Sequence, residues 1–105
     1  MAQALDRVLK ERLRAVLAGE PVTEAELRKL FEEGNACALI LDGQLEHGEQ
    51  RIAELASDPE SSLAEVAATV RLVTELRPDL AELQALLEDL NARAREFRAS
   101  WLSAH

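Results

Sequence analysis

Residues 24–57 read EAELRKLFEEGNACALILDGQLEHGEQRIAELAS, and this stretch decides the fold. Its apolar and small residues recur at alternating intervals of four and three: Leu27, Phe31, Gly34, Ala38, Leu41, Leu45, Gly48, Ile52 and Leu55. If the chain turned at Gly34 or Gly48, the segments before and after the turn would be separate helices, and their apolar spacing would not need to stay in one heptad phase. The spacing therefore predicts one helix over about 24–57, roughly 50 Å long at the usual helical rise. Both glycines then lie on its buried face, where a neighbouring helix approaches closely.

The segment before this stretch predicts a shorter helix over about residues 2–18. Its apolar residues also follow helical spacing, and Gly19 and Pro21 end it: Leu5, Val8, Leu9, Leu13, Val16 and Leu17. Thr23 and Glu26 then form a capping-box pattern, in which the Thr23 hydroxyl accepts from the Glu26 amide. The long helix is therefore expected to begin directly after Thr23.

The segment after it predicts a chain reversal at residues 57–61 and a further helix over about 62–104. Ser62 and Glu65 repeat the capping-box pattern. The heptad phase then continues to the C-terminal end: Val66, Thr69, Val73, Leu76, Leu80, Leu83, Leu87, Leu90, Ala94, Phe97 and Trp101. Pro78 interrupts this run at a cost of about 3 kcal/mol within a helix. Because the phase is unchanged across it, a kink or tight restart at 77–78 is favoured over a break that begins a fourth helix.

Composition agrees with helix throughout, since hydrophobic residues make up 48% and aromatic residues only 3% of the 105-residue chain. Leu, Ala, Glu and Arg dominate, and these are strong helix formers. The sequence thus predicts an all-α fold: a long antiparallel helical hairpin plus a short N-terminal helix, bundle-like or coiled-coil-like. Residues 1–105 are expected to form a single domain.

The charge of the chain bears on its partners and its location. The formal net charge is −8, and residues 42–65 carry seven acids against Arg51 alone. Nucleic-acid binding needs clustered basic residues, so it is not expected. No apolar stretch approaches the roughly 18 residues of a membrane span, and the single Cys37 fits a reducing compartment. A cytoplasmic location without membrane attachment is expected.

The apolar residues around the predicted reversal exceed what a two-helix seam needs, so we expect either a compact four-helix fold or a homodimer. Homodimerisation is favoured. The candidate self-association surface comprises Leu39, Ile40, Ile52, Leu55, Val66, Val70 and Val73.

Residues with catalytic or metal-binding chemistry are few. Asp42, Glu46 and Glu49 share a helix face beside His47, but the Glu-x-x-His motif of carboxylate-bridged bundle sites does not occur. A solvated acidic face is therefore the favoured interpretation. Cys37 lies in the most apolar run, where a thiol is inert. The sequence predicts no enzyme, no cofactor and no metal.

The expected partner is another protein. Candidate contact residues are Asp42, Glu46, Glu49, Phe97 and Trp101, although packing of Phe97, Trp101 and Leu102 on Leu5, Leu9 and Leu13 is favoured over a binding role. The leading hypothesis is a small bacterial-type adaptor, chaperone or regulatory protein. A second is an acidic inhibitor, antitoxin or immunity-type protein that occupies a basic site. A third is a structural subunit of a larger enzyme or a metal-binding bundle.

Overall fold

The computed structural model describes residues 2–104, and side chains from residue 6 to residue 103. Within that range it contains three helices and no strand: α1 (Ala2–Leu17), α2 (Glu24–Ser57) and α3 (Leu63–Ala104). The predicted all-α class is confirmed. α2 has the bounds that its heptad phase predicts, with neither Gly34 nor Gly48 producing a turn.

Local signals at the start of α2 explain why it begins where it does. The Glu26 amide donates to the Thr23 hydroxyl at 3.1 Å, and the Glu26 carboxylate accepts from the Thr23 amide at 3.5 Å. This capping box satisfies two amides that the helix itself cannot pair. The second predicted box is only half formed. Ser62 Oγ accepts from the Glu65 amide at 3.4 Å, while the Glu65 carboxylate binds Arg51 of α2.

α3 is continuous through Pro78, so the chain has no separate fourth helix within the described residues. This excludes the compact fold in which residues beyond Pro78 turn back as a fourth helix. The unbroken heptad phase gives the reason, because every turn of α3 from Val73 to Leu90 buries a residue against the rest of the protein. That burial offsets the helical hydrogen bond that proline cannot make.

α2 and α3 pack side by side in opposite directions. Gly34 faces Leu87 and Gly48 faces Val73, so rising residue numbers in α2 meet falling numbers in α3. A methyl group at Gly48 would lie 2.7 Å from Cγ2 of Val73, which shows how closely the backbones approach. The two glycines therefore serve the close contact that the sequence predicts.

α1 covers one half of this hairpin. Its Leu9 and Leu13 are buried in one cluster with residues of both long helices: Leu30, Leu41, Leu76, Leu80, Leu83, Leu87 and Leu90. The part of the hairpin beyond α1, residues 42–57 and 63–75, is the outer half. Among its apolar side chains only Leu55 and Val73 are fully buried. The outer half is thus a two-helix layer.

The resulting shape is a rod of 68 × 22 × 18 Å with a radius of gyration of 18.4 Å. A compact domain of this length would have a radius of gyration of about 13 Å. The chain therefore exposes much more surface than a compact bundle of equal size.

Candidate functional site

The two sides of the hairpin can be told apart by the ion pairs they carry. Asp79 of α3 lies 3.6 Å from Lys10, so its side is the one covered by α1. Arg77 binds Glu49 of α2 at 2.9 Å across the seam. Residues seven apart share a helix face. The Arg77 side therefore continues toward the loop through Val70 and Leu63, and no third helix covers it.

An apolar surface occupies this uncovered side in the outer half. We define the open face as Ile52, Ala53 and Ala56 of α2 together with Leu63, Val66, Ala67 and Val70 of α3. Ile52 and Val66 are half-buried beside the seam, while Val70 is 43% and Leu63 is 86% exposed. The Glu49–Arg77 ion pair borders the face on the side nearer α1. The open face is thus an uncharged patch with a polar edge.

The structure divides the predicted self-association residues into three groups. Ile52, Val66 and Val70 belong to the open face. Leu55 and Val73 are instead buried in the α2–α3 seam, at 6% and 5% exposure. All four of Ile52, Leu55, Val66 and Val73 hold heptad positions that face the other helix, but only Leu55 and Val73 are enclosed there, so these two form the hairpin interior and not its surface.

Leu39 and Ile40 are exposed as well, but neither joins the open face. Leu39 is 74% and Ile40 is 57% exposed. The seam residue Leu41 points toward α3, and helical geometry turns each preceding residue by about 100°. Leu39 therefore faces away from α3, in line with Ala53 but separated from it by the exposed Glu46. Ile40 lies on the neighbouring flank of α2. Neither residue is continuous with the open face.

The apolar residues at the end of α3 are more exposed than the sequence predicts. Phe97 is 72%, Trp101 is 53% and Leu102 is 69% exposed. The predicted packing of Phe97 on α1 is therefore wrong, and Leu5 lies outside the described side chains. The register set by Gly34 and Leu87 places Phe97 level with Glu24, the first residue of α2. α3 thus extends beyond the start of α2, so a heptad position there no longer implies burial.

The acidic residues of the outer half and its inner border are exposed to solvent, including Asp42, Glu46 and Glu49. Arg51 binds Glu65 at 2.7 Å and Glu54 at 3.2 Å. The hydrogen bonds that Arg51 donates to Glu65, and to a smaller extent to Glu54, raise the pKa of Arg51 above its ordinary value. Across residues 2–104 no three His, Cys, Asp or Glu side chains are placed to hold a metal ion.

A buried charge cluster beneath α1 was not predicted from the sequence. Lys10 is only 4% exposed and lies 3.1 Å from Asp6 and 3.3 Å from Glu82, in addition to Asp79. Arg14 also pairs with Glu82. One oxygen of Asp6 is buried without a hydrogen-bond partner. The cluster fixes α1 to α3 directly after Pro78.

Cys37 lies close to this cluster and is half-buried. Burial raises the pKa of its thiol, the charge of Asp6 raises it further, and Lys10 partly opposes both. A raised pKa means little reactive thiolate at neutral pH. The available signal for the cluster was the Asp6 and Lys10 spacing of four residues, but that spacing is equally common on solvated helix faces.

Comparison of the chain with protein-family models, with curated proteins and with solved structures found no match in any of the three. Between residues 2 and 104, no helix combines the length and the apolar character needed to cross a membrane.

Proposed function

We propose that the chain is a non-catalytic protein-interaction module, a small cytoplasmic adaptor, chaperone or regulatory protein that binds another protein through helix surfaces. The observation that carries this proposal is the exposure of large apolar side chains at the C-terminal end of α3. Phe97 and Leu102 are about 70% exposed there, beside the half-exposed Trp101. Isolated exposed leucines are ordinary on protein surfaces, but aromatic residues clustered on one helix end are typical of binding hot spots.

The spacing of these residues suggests how a partner would bind. Phe97 and Trp101 are four residues apart and therefore lie on one face of the helix, with Leu102 adjacent. A helix that presents such anchors binds an apolar groove on its partner. Arg95, Glu96 and Arg98 lie among these residues and are exposed, so this end of the helix carries a net positive charge. The complementary groove is therefore expected to have an acidic rim.

Affinity purification from the native host tests this proposal with matched variants. Phe97→Ala removes an anchor, whereas Leu39→Ala truncates a side chain of nearly equal exposure, 74% against 72%, on a distant face of α2. Truncating a hot-spot residue costs at least about 2 kcal/mol, or roughly 30-fold in Kd. The protein captured by the natural sequence should be lost with Phe97→Ala and kept with Leu39→Ala.

Two results would contradict this assignment. Equal capture by both variants would remove the C-terminal end of α3 as the binding surface. Failure of the natural chain to capture any protein from its own host would remove the interaction role itself. Circular dichroism of each variant shows whether a loss of capture merely reflects a loss of helix.

A second candidate function is inhibition by occupation of a basic site. It is favoured by the exposed acids from Asp42 to Glu65, which outnumber the single basic residue Arg51 in that stretch by seven to one. Association driven by such charges weakens steeply as salt is raised, because ions screen exposed charges. The captured complex should then dissociate between about 0.1 and 0.5 M salt. Insensitivity to salt would favour apolar docking through Phe97 instead.

A further inference from the structure

We propose that the open face binds a second copy of this chain, so that two outer halves together form a four-helix unit. This inference deepens the proposed interaction role by naming the partner of one particular surface. It concerns the seven residues Ile52, Ala53, Ala56, Leu63, Val66, Ala67 and Val70, and not the C-terminal end of α3.

The open face resembles an interface centre in having no charged residue. In α3, Val66, Ala67 and Val70 lie three, four and seven residues after Leu63. In α2, Ile52, Ala53 and Ala56 lie at the same spacings after Glu49. Each helix thus adds one stripe of apolar residues beside the seam. No acid or base interrupts either stripe between the Glu49–Arg77 ion pair and the loop. Depletion of charge at the centre and a polar rim are typical of protein–protein interfaces.

The chain exposes more surface than a compact protein of its mass. The chain exposes 7576 Å², whereas a compact protein of 11.6 kDa exposes about 5,800 Å². The excess of about 1,700 Å² exceeds the roughly 800 Å² that each partner contributes to a stable interface. One such interface and a further protein contact of similar size can therefore be accommodated on each chain.

The layer structure of the hairpin indicates why the occupant is a second copy. The inner half reaches three helices through α1, while the outer half has two. Two-helix layers that carry the same apolar stripes complete one another when related by a two-fold axis, since each supplies the layer that the other lacks. The half-buried Ile52 and Val66 of each copy would then become fully buried.

Sedimentation equilibrium of the full chain tests the proposal, with two matched variants. Val70→Glu places a charge on the open face. Leu72→Glu places the same charge two residues away, on the opposite flank of α3, the flank that carries Asp79. The replaced residues are 43% and 46% exposed, so the variants differ mainly in the side they alter. We expect the natural chain to dimerise, Val70→Glu to raise the Kd of the dimer at least about tenfold, and Leu72→Glu to leave it within about twofold.

Three outcomes would overturn the proposal: a natural chain that stays monomeric at about 100 µM, far above a micromolar Kd; a dimer that Val70→Glu leaves intact; or equal weakening by both variants. Circular dichroism excludes unfolding as the cause of any loss. The test is separable from that of the interaction role. If the chain is a monomer but still captures a host protein through Phe97, only the dimer proposal is wrong. If the chain dimerises but captures no host protein, only the proposed function is wrong.

Discussion

Alanine substitution of the three glycines within α2 provides a quantitative test of the helix seam. Gly43 is exposed, and an added methyl group would meet no atom within 4 Å. At Gly34 the same methyl would lie 3.3 Å from Cγ and 3.4 Å from Cδ1 of Leu87, and closer still to Cδ2. At Gly48 it would lie 2.7 Å from Cγ2 of Val73. Gly43→Ala therefore introduces no close contact, whereas Gly34→Ala and Gly48→Ala each introduce one with α3.

Two opposing effects determine the size of each change. Replacing glycine by alanine within a helix adds about 1 kcal/mol of stability, because less backbone freedom is lost on folding. Overpacking a closely packed seam costs about 1–3 kcal/mol. Gly43→Ala should therefore stabilise by about 1 kcal/mol. At Gly34 the overpacking cost should lie at the upper end, about 2–3 kcal/mol, because the branch carbon of Leu87 is also too close and rotating one methyl does not relieve it. Gly34→Ala should therefore destabilise by about 1–2 kcal/mol net.

Gly48→Ala should fall between these two values. Only one methyl of Val73 is in conflict, but valine has a single strongly preferred rotamer in a helix. Urea unfolding at one fixed protein concentration measures all three, since association would shift the apparent stability. In thermal unfolding at the same protein concentration, the Tm values of the Gly43→Ala and Gly34→Ala variants should differ by about 10 °C or more. Equal stabilisation by Gly34→Ala and Gly43→Ala would refute the close approach of α2 and α3.

Three further predictions concern one residue in each helix: Lys10 of α1, Cys37 of α2 and Pro78 of α3. Lys10→Met should lower the free energy of unfolding by about 3–5 kcal/mol, since it leaves Asp6 buried without a cation; pairing it with Asp6→Leu should recover most of this loss in urea unfolding. Cys37 should react with a disulfide reagent more slowly in the native than in the unfolded protein and faster as pH rises, because its raised pKa limits the thiolate; equal rates in both states would contradict its burial. Pro78→Ala should raise the free energy of unfolding by about 1–3 kcal/mol in the same urea assay; a decrease would show that proline is needed to position Asp79.

The hairpin was predictable from the sequence because its determinants are local and periodic. An uninterrupted heptad phase gave the length of α2, and the Thr23–Glu26 pattern gave its first residue. The continuity of the helix at Pro78 was harder to predict. The proline favours a break, whereas the unchanged heptad phase favours one continuous helix. The burial of Val73, Leu76 and Leu80 on both sides of Pro78 decides that conflict in favour of one continuous helix.

The surfaces were less predictable, because phase shows which way a side chain points but not whether a neighbour reaches it. Phe97 keeps the phase of the seam and is still exposed, since α2 begins at the same level. Lys10 presents the opposite case. A charged residue on a short helix is ordinarily solvated, and only the packing of α1 against Asp79 and Glu82 brings it into the interior.

The unequal covering of the hairpin divides the molecule into two regions of different local stability. Backbone amides near Leu30 and Leu83, beneath α1, should exchange with solvent only when the whole chain unfolds. Amides around the loop at residues 58–62 and in the flanking turns are protected by a single helix pair and should exchange through smaller openings. If two chains associate at the open face, a higher protein concentration would make local unfolding of the outer half less frequent. The inner half would keep the same stability at every concentration.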